Sequence, residues 1–160
     1  MKNEMKLEFM ALPANEGMAR VAVASFMASL NPTLEEVEDV KTAVSEAVTN
    51  CIIHGYGMPE NGQDDSELEE EDKRKVYISC ATEGKVLQVE VKDYGVGIVD
   101  VKKAMEPLYT SKPALERSGM GFAFMEAFMD ELCVESELGK GTSVRMKKNL
   151  SEIKKQSVGE

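Results

Sequence analysis

Residues 33 to 55, TLEEVEDVKTAVSEAVTNCIIHG, constrain this chain more than any other stretch, because their pattern fits a long helix with one buried face. Val37, Val40, Val44, Ala47, Val48 and Cys51 recur at helical spacing and read as core. Thr33, with Glu36 three positions on, makes a capping box, in which each side chain satisfies a backbone N–H that the first turn leaves open. The Asn31-Pro32 pair ahead of it ends whatever precedes, and the helix is expected to run to Gly55 or Gly57. Such a stripe has to be laid against a second layer. The opposite side carries Glu46, Asn50 and His54, the only histidine. At about 100° per residue these three drift roughly 40° from one to the next, so they form one polar stripe.

The rest of the chain supplies strands for that second layer. Met5, Leu7, Phe9 and Ala11 alternate with Lys6, Glu8 and Met10, a first strand ending near Pro13. Met18, Val21, Ala22, Ser25, Phe26 and Ala28 then predict a helix over 15–30 with those residues on its repeat. Val76 to Ala81 and Val86 to Val91 read as an antiparallel hairpin about Thr82-Glu83-Gly84-Lys85. A short helix near 99–105, a proline-broken segment to Ser118 that looks like a lid, a helix over 121–129, and strands over 131–135 and 142–147 complete the chain. Residues 57–75, rich in acids, glycine and proline, read as a solvated loop.

With 160 residues and 42% hydrophobic content, one core is affordable and two are not, so a single site is expected. No apolar run approaches the roughly 20 residues of a membrane span, and MKNEMKLEFM lacks the core of a signal peptide, so a cytoplasmic location is expected. A net charge of -10 opposes general attraction to nucleic-acid phosphates. The three cysteines, Cys51, Cys80 and Cys133, each sit in an apolar run and are expected to be buried and reduced.

Four constellations carry chemistry. Asn50 can give Mg²⁺ an oxygen ligand, and Glu46, one turn earlier, can accept a proton or orient a hydroxyl for phosphoryl transfer. Asp93-Tyr94-Gly95-Val96-Gly97 follows an apolar strand, where glycines allow close backbone approach and a carboxylate can accept a hydrogen bond from an exocyclic amine. Arg117-Ser118-Gly119-Met120-Gly121 opens a helix whose free N–H groups suit phosphate. Gly139-Lys140-Gly141-Thr142 is first of all hairpin chemistry. Taken singly, each is also what a solvated helix face, a turn or a glycine cap looks like.

In this order the four resemble the GHKL ATPases, the ATP-binding fold of gyrase-type topoisomerases, histidine kinases and their relatives. EAVTNCIIHGY, KDYGVGI, PLYTSKP and ERSGMGF are more specific, and through them nearly the whole chain resembles the anti-sigma-factor serine kinases of spore-forming bacteria. The resemblance implies an α/β fold, a two-layer α+β sandwich whose mixed, mostly antiparallel sheet is covered on one face by helices. It implies one kinase domain over 1–148 with a frayed tail over 149–160. It assigns Glu46 as general base and Asn50 as Mg²⁺ ligand. The ATP-binding set is Asn50, His54, Asp93, Gly95, Gly97, Thr110, Ser111, Lys112, Arg117, Ser118, Gly119, Met120, Gly121 and Thr142, with His54 in a supporting role.

The implied activity is that of a homodimer which, with Mg-ATP, holds a sporulation sigma factor of the F type away from RNA polymerase and phosphorylates a serine on an anti-anti-sigma factor. Glu16 and Arg20 on the first helix are candidates for a partner surface. One departure stands out. Met105 occupies the place where the resemblance leads one to expect an arginine directed at the terminal phosphate, with Lys102, Lys103 or Lys112 as substitutes. A nucleotide-gated binder with weak kinase activity and a plain ATPase are therefore the alternatives.

Overall fold

The computed structural model describes residues 2–57, 74–106 and 121–151. The chain begins with strand β1 (Lys2–Met10) and helix α1 (Ala14–Met27), which a short 3-10 turn, Ala28–Leu30, extends to Asn31. Asn31 turns left-handed at φ 51°, and the capping box of Thr33 and Glu36 then starts α2 (Leu34–Asn50) as the sequence predicts. The helical path continues beyond Asn50 in a wider π turn, Cys51–Gly55. Strands β2 (Lys75–Glu83) and β3 (Val86–Asp93) form the expected hairpin. Helix α3 (Val101–Ala104), helix α4 (Gly121–Phe128), and strands β4 (Glu131–Glu137) and β5 (Gly141–Asn149) follow.

The strands make one sheet in the order β1-β2-β3-β5-β4, and all four pairings are antiparallel. Leu7, Ile78, Val91, Val144 and Val134 lie in one cross-strand row that faces the core. Val40, Val44 and Val48 of α2 meet this face and are fully buried, each contributing about 1.5–3 kcal/mol relative to exposure. Ala19, Val23 and Met27 of α1 and Phe122 and Met125 of α4 complete the helical layer. This is the two-layer α+β sandwich, and α2, between α1 and α4, is its central helix.

Three expectations change. On α1 the buried face is Ala19, Val23 and Met27, whereas Met18 and Val21 are 45% and 58% exposed. Apolar residues ring this helix, so periodicity alone offers two faces and packing against α2 selects one. Cys133 is exposed, because β4 is an edge strand and this residue shares the helix-free face with Lys6, Ser79, Glu90 and Arg145. Ordered structure also passes Lys148: Asn149 is paired in β5, Leu150 is buried, and the Ser151 N–H and hydroxyl both donate to Glu36 Oε1, at 2.8 and 2.7 Å. Among the described residues no helix is long and apolar enough to cross a membrane.

Candidate nucleotide site

Asp93 is the last residue of β3 and sits on the helix-facing side of the sheet, only 3% exposed. Burial raises its carboxyl pKa above the ordinary 3.8, an effect opposed by donors from Gly95 N–H, Cys51 Sγ–H and Thr142 N–H. The Gly95 bond, to Oδ1, is 2.8 Å long. A carboxylate offers about four lone-pair positions, so three donors leave room for a fourth, such as an exocyclic amine. The Cys51 thiol, buried beside this charge, has its pKa pushed well above the usual range by burial, by the Asp93 charge and by its bond to Asp93. It is therefore a protonated donor at neutral pH.

The π turn brings Gly55 to the Asp93 carboxyl group. Its Tyr56 N–H reaches back five residues to the Cys51 carbonyl at 3.0 Å, which opens the coil after Asn50. Gly55 then lies against Asp93, so close that a Cβ there would come within 2.9 Å of the carboxyl carbon. His54 lies half-buried in the same turn.

The loop after Asp93 is clamped on both sides. At Gly95 a Cβ would sit 2.0 Å from the Gly55 carbonyl oxygen, which also accepts the Val96 N–H at 2.9 Å. Gly97, at φ 77°, passes the Glu137 carbonyl, which would lie 2.3 Å from a Cβ. Both glycines thus serve close approach to the protein's own backbone. Ser136 ties the far side by donating to the Gly141 carbonyl at 3.0 Å and accepting the Ile98 N–H at 2.7 Å. With its only proton used, its 2.8 Å contact with Thr142 Oγ1 is one in which Thr142 donates. Tyr56 fixes the near side, donating to the Lys75 carbonyl at 2.7 Å and accepting the Tyr94 N–H at 2.9 Å. Tyr56 and Ser136 were not singled out in the sequence, since nothing local marks residues that act on loops far away in the chain.

Glu46 and Asn50 keep their α-helical relation on α2 and converge on the first residue of α4. A Cβ on Gly121 would lie 3.2 Å from the Asn50 amide nitrogen, 3.3 Å from its oxygen, and 3.3 Å from Glu46 Oε2. A carboxylate, a carboxamide and the start of a helix, where backbone N–H groups suit phosphate, therefore meet at one point. Among the described residues no group of three His, Cys, Asp or Glu could cage a metal. A lone Asn50 oxygen suits Mg²⁺, which keeps several waters and takes its other ligands from phosphates.

Of the other candidate residues, Thr110, Ser111, Lys112, Arg117, Ser118, Gly119 and Met120 lie outside the described residues. Met105 packs partly against the core, while Lys102 and Lys103 on α3 are exposed. On α1, Arg20 pairs with Glu16 at 3.8 Å, and Glu16 also accepts the Ser45 hydroxyl from α2. Glu16 is thus tied to the residue next to Glu46.

The family model of the histidine kinase-like ATPase domain matches residues 9–148. Three similar proteins are anti-sigma F factors. The one from Clostridium novyi is 56% identical over 151 residues, covering 94% of this chain and 97% of that protein. The one from Clostridium acetobutylicum is 54% identical over 154 residues, 96% of this chain and 98% of that protein. The Bacillus subtilis protein is 51% identical over 154 residues, 96% and 97% of the two chains. The chain belongs to the anti-sigma F factor family of histidine kinase-like ATPases. Membership gives the site its ligand class, since an ATPase domain binds ATP, and Glu46, Asn50, Asp93 and Gly121 all lie within the matched residues.

Proposed function

We propose that this chain binds Mg-ATP with the adenine amine on Asp93 and the phosphates at the start of α4, and that it transfers the terminal phosphoryl group to a serine of an anti-anti-sigma factor. The observation that carries the reading is the packing of Gly121 against both Glu46 and Asn50. It supports the reading by bringing together the side chains taken here as proton acceptor and metal ligand and the helix start taken as the phosphate site. Glu46 takes the proton of the serine hydroxyl as the serine oxygen bonds to the terminal phosphorus. The bond from that phosphorus to the bridging oxygen breaks, and ADP leaves with the electron pair. Asn50 and phosphate oxygens would hold Mg²⁺, which supplies charge neutralisation.

In the same reading the ATP-bound chain, as a cytoplasmic homodimer, holds a sigma factor of the F type from RNA polymerase, and unphosphorylated anti-anti-sigma factor releases it. Exposed Met18 and Val21 beside the Glu16–Arg20 pair support α1 as a protein-contacting face. Met105 gives specific support to the second reading, a nucleotide-gated binder with weak kinase activity, because its side chain packs inward where an arginine would serve the phosphate. Incubation with γ-labelled ATP, with and without the serine-bearing partner, separates these. Label on the partner is the expected result. Label kept in ATP favours the binder, and free phosphate alone favours a plain ATPase.

A further inference from the structure

Tyr56 closes the π turn and packs half-buried against the core, while its hydroxyl reaches two other segments. It donates to the Lys75 carbonyl at the start of β2, at 2.7 Å, and accepts the Tyr94 N–H just past the end of β3, at 2.9 Å. Tyr94 is the middle residue of a tight local ring, because Asp93 Oδ1 accepts the Gly95 N–H two residues on, at 2.8 Å. Such a ring holds the carboxylate only while the peptide between Asp93 and Tyr94 keeps its orientation. That peptide's N–H is the one the Tyr56 hydroxyl accepts. Gly55 lies against the carboxyl group itself, where a Cβ would come within 2.9 Å of the carboxyl carbon. Two successive residues of the π turn thus meet Asp93 and the peptide that follows it.

We propose that Tyr56 is a positioning residue for base recognition: by holding the Tyr94 N–H, its hydroxyl sets the orientation of the Asp93 carboxylate and so raises the preference for adenine over a purine lacking the exocyclic amine. The proposal rests on the reading of Asp93 as the adenine acceptor. Without the hydroxyl the Tyr94 N–H turns to water, the ring to Gly95 loosens, and the free lone pair of the carboxylate loses its aim. The two bonds of the hydroxyl go to Lys75 and Tyr94, not to the start of α4 where the phosphates are placed. A ligand that makes no use of the carboxylate should therefore not register the loss.

The test is titration of the whole chain, with magnesium, by ATP and by purine riboside triphosphate, which has hydrogen in place of the amine. Wild type should prefer ATP. Tyr56→Phe, which keeps the ring and removes only the hydroxyl, should weaken ATP about 3- to 10-fold, the worth of one hydrogen bond, and leave the analogue within about twofold. A phenylalanine variant that weakens both nucleotides alike, or neither, overturns the proposal. Linkage gives a second readout that needs no variant: if the Tyr94 bond favours the amine, the amine favours the bond by the same factor. At saturation, ATP should therefore slow hydrogen exchange of the wild-type Tyr94 amide more than the analogue does, and equal slowing overturns the proposal. If wild type itself shows no preference for ATP, the adenine reading of Asp93 falls first, and the proposal with it. Thermal melting checks that the variant is folded, and the wild-type exchange experiment decides if it is not.

Discussion

Gly95→Ala isolates the close approach on which the Asp93 loop depends. The backbone of Gly95 is not in a left-handed conformation, so alanine is excluded only by space. Its Cβ would lie 2.0 Å from the Gly55 oxygen and 2.4 Å from the carbonyl carbon. These are backbone atoms with no rotamer to change, so loop and π turn have to separate by about 1.4 Å to restore an ordinary contact. That movement breaks the 2.9 Å bond from Val96 N–H to the same oxygen. Losing it costs about 0.5–1.5 kcal/mol, and residual overpacking about 1–3 kcal/mol. A total of about 1.5–4.5 kcal/mol lowers Tm by about 3–18 °C in a chain of this size. The same substitution at Gly17, within α1, meets nothing within 4 Å and should raise stability by about 0.5–1 kcal/mol. Thermal melts read both signs, and ATP titration of Gly95→Ala should show lost affinity, because Gly95 N–H holds Asp93 Oδ1. A Gly95→Ala chain that melts with wild type and binds ATP unchanged would refute the reasoning.

Asn50→Ala should abolish the magnesium dependence of ATP binding without lowering Tm by more than about 1 kcal/mol equivalent, as seen by titration with and without the metal. Glu46→Gln should bind ATP normally and slow phosphoryl transfer about 10²- to 10⁴-fold in a single-turnover assay, the usual worth of a positioned base. Asp93→Asn should lose ATP binding and shift stability with pH. Because burial raises the folded pKa of Asp93, folding favours its protonated form: that stabilisation is present in acid and lost as pH rises through the folded value. The difference in Tm, variant minus wild type, should therefore move toward the wild type as pH falls from 7 to 4, and a flat difference counts against burial as the cause.

What could be read from the sequence was what is local. The capping box at Thr33 and Glu36 involves neighbours three apart, and the structure reproduces both of its bonds. The hairpin of β2 and β3 follows from alternation about a turn that includes Gly84, at φ 59°. What failed was decided by distant partners. Met18 and Val21 fit a helical stripe as well as Ala19 and Val23 do, and only α2 distinguishes the two faces. Cys133 lies in an apolar run, but its strand is an edge with one face open. The π turn leaves no mark in CIIHG, whose residues would sit equally well in an α-helix. It is forced by the contact of Gly55 with Asp93 and Gly95, about 40 residues further along.

That turn connects the two halves of the site. An uninterrupted α-helix would carry Gly55 past Asp93 at a different phase and forfeit the Val96 bond to its carbonyl, which costs about 0.5–1.5 kcal/mol. The wider coil instead gives up regular helical bonding over one turn and gains the Val96 bond to Gly55 and the Tyr56 clamp on Tyr94. Because Glu46 and Asn50 precede the turn and Gly55 and Tyr56 follow it, one continuous helical path joins the proposed phosphate end of the site to the Asp93 end.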